Sequence, residues 1–219
     1  MNNPAPQRKF WLTRKRYRAP VLLLFIALAL LAHTFAYFPW DLRAECGLQM
    51  SLGARGLAFM QAVSLAGNGW TPYLLTAFMG LLFLLLRQPA TAGALVLSAG
   101  GSGAINGLLK WLIGRPRPVA ADCLQVVDKF GFLSFPSGHV TFYVCFFGFL
   151  WLLAGERMRA GWRRLLVMCL LALPILLVSL SRVSLGAHWP SDTLGAYLWS
   201  SVWLGFAWEM RHKWQGRRV

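Results

Sequence analysis

The sequence predicts an all-α fold, six transmembrane helices packed as a bundle, with a polar site at its extracytoplasmic end. Three observations carry that prediction. Of the 219 residues, 57% are hydrophobic and only 13% charged, well below the charged share of an ordinary soluble domain. The apolar residues gather into long runs that a soluble fold could not expose. The ionisable residues that enter these runs sit at their ends, away from the middle of the bilayer where a charge is costly.

Residues 21–38 form the first run, opened by Pro20 and closed by Pro39. A basic segment precedes it. The run is longer than the apolar region of a cleavable signal and lacks a clear small-residue cleavage site, so it reads as a retained span. Residues 39–70 are too broken to cross; Leu48, Leu52, Leu57, Met60 and Val63 suit one face of an interfacial helix, and the segment also reads as a periplasmic loop packed over the bundle. The second span is 72–86. The third, 90–113, carries Gly93, Ala94, Ser98, Gly100, Gly101, Gly103, Ala104 and Gly107. Small residues let helix backbones approach closely and mark this span as central. The fourth, fifth and sixth are 139–154, 165–183 and 191–208. The chain thus divides into a basic segment (1–19), a membrane domain (20–208) and a basic tail (209–219).

Lys and Arg number 22 against 7 Asp and Glu, a formal net charge of +15. In a soluble protein that balance would point to nucleic acid. Its division into short clusters between apolar runs excludes such a partner. With six spans both termini share a side. Arg8, Lys9, Arg14, Lys15, Arg16, Arg18, Arg87, Arg157, Arg159, Arg163, Arg164, Arg211, Lys213, Arg217 and Arg218 all fall there, so that side is expected to be cytoplasmic. Trp40, Trp70, Trp111, Trp189, Trp203 and Trp208 lie near the expected interfaces, as an aromatic belt does. Cys145 and Cys169 read as packing residues inside the membrane. Cys46 and Cys123 fall on the oxidising side, where a disulfide can form.

The chemistry-bearing residues collect at the other face. Lys110 lies near the end of the third span and Arg115-Pro116-Arg117-Pro118 follows it. Phe135-Pro136-Ser137-Gly138-His139 opens the fourth, Arg182 ends the fifth, and His188 and Asp192 lead into the sixth. A helix starting near Pro190 brings Asp192 back to His188. A carboxylate there fixes the imidazole tautomer and leaves the other nitrogen as nucleophile or base. Arg182 adds a fork of donors suited to phosphate oxygens. Singly, Lys110 or Arg182 reads as a side chain snorkelling from a helix end. Arg115 reads as another, or as one touching a lipid headgroup, and His33 and His212 as surface or packing residues. Together they read as a phosphoryl-transfer site.

The ordered set Lys110-x6-Arg117-Pro118, Pro136-Ser137-Gly138-His139 and Ser181-Arg182-x5-His188-x3-Asp192 resembles the three-part signature of the type 2 phosphatidic acid phosphatase superfamily. The likeness extends over roughly residues 20–208, and the six spans are similar to the bacterial membrane branch. It implies a metal-independent enzyme that hydrolyses a lipid phosphate or diphosphate through a phosphohistidine. His188 would attack phosphorus, Asp192 would hold its other nitrogen, and His139 would protonate the leaving oxygen and then activate water. His188 would start neutral and His139 protonated. Lys110, Arg117 and Arg182 would clamp the phosphoryl oxygens together with Ser137 and Gly138 at a helix start.

The resemblance implies no cofactor, and the acids Asp41, Glu45, Asp122 and Asp128 read as dispersed rather than as a metal site. The substrate classes it implies are undecaprenyl diphosphate, phosphatidylglycerophosphate or phosphatidic acid, and the phosphates of lipid A. The setting would be a bacterial inner membrane with the site facing the periplasm or cell exterior. The same intermediate would serve a lipid phosphotransferase. A non-catalytic lipid carrier or scramblase would not need the complete set.

Overall fold

The structure, a computed structural model, describes residues 15–120, 126 and 133–216. Expectations that rest on Arg8, Lys9, Arg14, Asp122, Cys123, Asp128, Arg217 or Arg218 lie outside these residues. Cys46 is disulfide-bonded; the expected Cys46–Cys123 pairing is therefore described at its Cys46 end alone.

The first span is α1 (Lys15–Thr34). Leu23, Leu24, Leu30 and Leu31 are exposed while Phe25 and Ala32 are buried against the bundle. Leucine outward is what a helix presents where lipid tails are the solvent. Next come α2 (Pro39–Ser51) and α3 (Ala54–Ser64), a single 3-10 turn (Leu65–Gly67), and α4 (Thr71–Leu85). Pro39 and Pro72 stand in the first turns of α2 and α4, where the missing N–H costs no bond. The stretch from α3 through the turn meets α4 at a 52° bend.

The third expected span is one helical run with a π-helical break: α5 (Pro89–Leu95), the π segment Val96–Gly100, and α6 (Gly101–Ile113). Gly114 ends it with φ 69°, a left-handed conformation that glycine takes without strain, and the chain turns away into Arg115. Three long helices follow, α7 (Gly138–Arg157), α8 (Trp162–Ser184) and α9 (Pro190–Gly216).

The centre of the bundle is α7, not the small-residue run. Val140, Tyr143, Phe146, Phe149 and Leu152 of α7 are buried among Ala94 and Leu95 of α5, Val178 of α8 and Leu204 and Trp208 of α9. The run of small residues splits across the π break: Ala94 is buried, whereas Gly103, Ala104 and Gly107 of α6 are exposed. Trp189 and Trp208 are likewise core residues rather than belt residues, while Trp40, Trp70 and Trp111 are exposed. Cys145 is buried and free, and Cys169 is free and exposed instead of packed.

Four helical stretches are long and apolar enough to cross a membrane: Arg16–Thr34, Pro89–Ile113, Gly138–Arg157 and Trp162–Ser184. The bent pair Ala54–Gly67 with Thr71–Leu85 makes a fifth when counted as one span. The sixth expected span is a single helix, α9, but its Ser, Gly and Trp content leaves it outside that group, so length and apolarity alone do not reach six.

Both ends of the bundle are tied by polar contacts. At one, His33 Nδ1 of α1 lies 2.9 Å from the carbonyl of Ile113 at the end of α6, and the Ser137 amide before α7 donates to the Asp192 carbonyl of α9 at 3.2 Å. At the other, Arg18 pairs with Glu209 at 2.8 Å and Arg211 with Glu156 at 2.9 Å. All the motif residues lie at the first end.

Candidate active site

Three chain segments form the site, and their ends are pinned before any ligand arrives. An isolated antiparallel bridge joins Pro116 to Leu133, and the Ser134 amide donates to the Arg115 carbonyl at 2.8 Å. Lys110, near the end of α6, donates from Nζ to the carbonyls of Leu133 (3.1 Å) and Ser134 (2.8 Å). An ammonium has three donors, of which the described residues take these two.

His188 sits in the short connection between α8 and α9 and is 2% exposed. Its Nδ1 is 3.5 Å from Asp192 Oδ2 and 3.3 Å from Ser134 Oγ. The Ser134 hydroxyl also donates a short bond to Asp192 Oδ2, so it bridges the imidazole and the carboxylate. His188 Nε2 lies 3.3 Å from Arg117 Nη1, and Arg117 Nη1 donates to the Ala187 carbonyl at 2.5 Å. A guanidinium can only donate, so the nitrogen beside it is the one that carries the lone pair. Burial foremost, then the positive charges of Lys110, Arg117, Arg182 and His139, hold His188 well below the usual histidine range. All three motif segments therefore act on one imidazole.

Asp192 is held from both sides. Its Oδ2 also accepts the Trp189 amide at 2.9 Å, as expected for a carboxylate in the first turn of a helix. Its Oδ1 receives Arg115 Nη1 at 2.6 Å. Arg115 is neither a snorkelling residue nor a headgroup contact: it is 1% exposed. Its Nη2 pairs with Asp41 Oδ2 at 2.9 Å, and its Nε donates to the Ala36 carbonyl at 3.1 Å. Asp41 in turn accepts the Ser191 amide at 2.8 Å and the Ser191 hydroxyl at 2.7 Å. The first turn of α2 thus supports the carboxylate behind His188.

His139 lies in the first turn of α7. Its Nε2 is 2.7 Å from Asn68 Oδ1, a residue that follows the 3-10 turn between α3 and α4. Arg182, in the last turn of α8, donates from Nη1 to Ser64 Oγ at 2.6 Å. Ser137 is fully buried, and its hydroxyl oxygen has no hydrogen-bond partner among the described residues. Gly138 begins the helix, whose first amides have no intrahelical acceptors.

Of the four acids, Asp41 and Glu45 lie among the described residues, and these two gather by Asp192: Asp41 shares Arg115 with it, and Glu45 is raised from 4.5 to about 8 by burial first, then by Asp192 and Asp41. Neither Glu45 carboxyl oxygen has a hydrogen-bond partner among the described residues. Among those residues no group of three or more His, Cys, Asp or Glu is arranged to hold a metal ion.

Sequence reasoning missed Asp41, Ser64, Asn68 and Ser134, and misread Arg115. Ser134 had a usable signal, since it directly precedes Phe135-Pro136-Ser137-Gly138-His139. Asn68 and Asp41 had none, because Asn68 stands between Gly67 and Gly69 and Asp41 beside Arg43 and Glu45, with no motif spacing that ties either to the site.

No curated protein matches the chain. Among solved structures it is similar to a protein described as the first transmembrane PAP2 type phosphatidylglycerolphosphate phosphatase from Bacillus subtilis, with a TM-score of 0.72 and 21% identity over 90% of this chain and 96% of that one. That likeness is one of fold. The pattern of the PAP2 superfamily matches residues 91–215, a stretch that runs from α5 into α9 and holds Lys110, Arg117, His139, Arg182, His188 and Asp192. That match spans more than half of the sequence, and the chain belongs to the PAP2 superfamily.

Proposed function

We propose that the chain is an integral membrane lipid phosphatase that hydrolyses a lipid phosphate or diphosphate through a phosphohistidine on His188. The observation that carries this reading is the environment of His188 Nε2, a lone pair in a buried cluster of cations and 3.3 Å from Arg117. Phosphoryl transfer is served chiefly by positioning and by positive charge on the equatorial oxygens. Arg117, Arg182 and Lys110 supply that charge, and the Ser137 hydroxyl, which has no partner among the described residues, and the first amides of α7 add donors beside them.

In the first half-reaction Nε2 attacks phosphorus, the P–N bond forms as the P–O bond to the lipid breaks, and His139 protonates the departing oxygen. Asp192 and Ser134 hold Nδ1 and balance the charge that develops on the ring. In the second half-reaction water attacks phosphorus, His139 takes its proton, and the P–N bond breaks. The cations take the role a metal would otherwise fill.

The proposed topology has six crossings: α1, α4, the α5–α6 run, α7, α8 and α9. Both termini would be cytoplasmic and the site would face the periplasm of a bacterial inner membrane. The concentration of Arg157, Arg159, Arg163 and Arg164 from the end of α7 to the start of α8, opposite the site, supports that orientation.

The test is inorganic phosphate release by purified protein from undecaprenyl diphosphate, phosphatidylglycerophosphate, phosphatidic acid and lipid A, with and without a chelator. Release that survives chelation and falls about a thousandfold or more in His188→Ala is expected. Equal rates in the two proteins would end the proposal. Little labelled phosphate released without a lipid acceptor, and label transferred to a second lipid once one is added, would make the enzyme a phosphotransferase.

A further inference from the structure

The bend between α3 and α4 reaches the site through a chain of hydrogen bonds whose direction is fixed at one end. Arg182 can only donate, and its Nη1 is 2.6 Å from Ser64 Oγ. The Ser64 hydrogen is thereby turned to Asn68 Oδ1, 3.4 Å away. That same oxygen lies 2.7 Å from His139 Nε2, so Nε2 is the donor. Nothing among the described residues bonds His139 Nδ1.

The bend is held in place from three sides. Ser181 Oγ donates to the Met60 carbonyl at 2.5 Å, Tyr143 Oη to the Val63 carbonyl at 2.5 Å, and Arg182 to Ser64 as above. Gly67 completes the fit: a Cβ there would stand 2.3 Å from His139 Cδ2 and 2.9 Å from Cγ. Only a residue without a side chain lets the turn lie against the ring. Two independent contacts, one steric and one polar, thus place this imidazole.

We propose that Asn68 is the positioning residue of the proton donor, keeping the Nε2 proton of His139 in place so that Nδ1 is the nitrogen that exchanges protons with the substrate. This rests on the reading of His139 as acid and then base. In the first half-reaction the Nδ1 proton passes to the departing alkoxide as the P–O bond breaks and the P–N bond to His188 forms. In the second, Nδ1 takes a proton from the water whose oxygen attacks phosphorus as the P–N bond breaks. The Nε2 proton stays on Asn68 throughout. The two histidines are held by opposite nitrogens, His188 at Nδ1 by a carboxylate and His139 at Nε2 by an amide. The amide oxygen orients its ring without placing a negative charge beside the arriving phosphate.

A merely structural Asn68 and a positioning one differ in how its loss depends on the leaving group. The probes are dioctanoyl phosphatidic acid, whose alkoxide must be protonated to leave, and p-nitrophenyl phosphate, whose nitrophenolate leaves unaided. The readout is kcat/KM, which covers steps up to the phosphohistidine. Asn68→Ala should lower kcat/KM for the lipid by about 10- to 100-fold, a large part of what a general acid contributes, and leave the nitrophenyl ester within about threefold. Asn68→Asp keeps an acceptor of the same reach, and the charge it adds acts on both phosphates alike, so the ratio of the lipid to the nitrophenyl rate should return toward the wild-type value. Gly67→Ala displaces the ring without touching Asn68 and should give the same selective loss, so it carries the test if Asn68→Ala does not fold. Equal losses on both esters, or none on either, would overturn the inference. His139→Ala run alongside separates the two levels. If it loses the lipid selectively and the Asn68 and Gly67 variants do not, the inference alone fails; if it too is unselective, the assignment of His139 fails.

Discussion

Arg115 Nη1 lies 2.6 Å from Asp192 Oδ1 with neither side chain exposed, and its other terminal nitrogen holds Asp41 at 2.9 Å. One guanidinium therefore bonds two buried carboxylates and joins the start of α2 to the start of α9. Removing one partner of such a pair leaves the other charge stranded, at a cost of about 3–5 kcal/mol. Arg115→Ala should lose stability on that scale together with phosphate release. Arg115→Lys keeps the charge without the fork; it should stay folded and lose most activity. Thermal unfolding in detergent, paired with the phosphate assay, checks both, and an Arg115→Ala protein as stable as wild type would contradict the arrangement.

Ser134 Oγ touches both His188 Nδ1 and Asp192 Oδ2. Ser134→Ala widens the link between ring and carboxylate but leaves Arg115 and the Trp189 amide on Asp192. About a tenfold fall in kcat with KM little changed is expected, the size of one lost hydrogen bond that matters in the transition state. Steady-state kinetics decide it: an effect on KM alone would place Ser134 in substrate binding.

His188 attacks only while its Nε2 lone pair is free, so kcat/KM rises with pH as the ring loses its proton. Burial and four neighbouring positive groups push that transition below the ordinary 6.5. The acid limb of the profile should therefore lie below pH 6.5 once the ionisation of the substrate phosphate is allowed for. Arg182→Gln removes one of those charges and should move the limb upward. A limb that stays in place would mean that the cations do not act on His188.

Glu45 predicts a stability profile. Its carboxyl is raised from 4.5 to about 8 in the folded state, so between those values the native chain holds a proton that the unfolded chain has released. Stability must fall as pH rises through that window and level off above it. Glu45→Gln removes the titration. Its melting temperature should match wild type near pH 4.5 and exceed it near pH 8. Parallel melting curves across the window would mean that Glu45 finds a partner when ionised.

The membrane character, the long helices and the meeting of Lys110, Arg117, His139, Arg182, His188 and Asp192 were legible because each has a local signature: an apolar run, a helix end, a short spacing. The support around them was not. Asp41 and Asn68 matter through bonds to Arg115, Ser191 and His139 that join residues far apart in the chain. Arg115 looked like a surface cation because charge at a span end has a cheap explanation in snorkelling, and only its two buried acids exclude it. The exposed Gly103, Ala104 and Gly107 show the converse. Small residues permit close packing, but the π break gives the two halves of that run different faces.

That break also means the site depends on the length of a distant turn. A π turn holds one residue more than an α turn, and Ser98 within it is fastened to the Cys145 carbonyl of α7 at 2.8 Å. Deleting one residue between Val96 and Gly100 would let the segment close as regular α-helix with α6 still in phase. Winding the same five residues as α-helix without a deletion would rotate all of α6 by about 100° relative to α5, carrying Lys110 off the carbonyls of Leu133 and Ser134. A locally better helix would be a blind one, and the irregular turn is the calibration that sets where its last charge points.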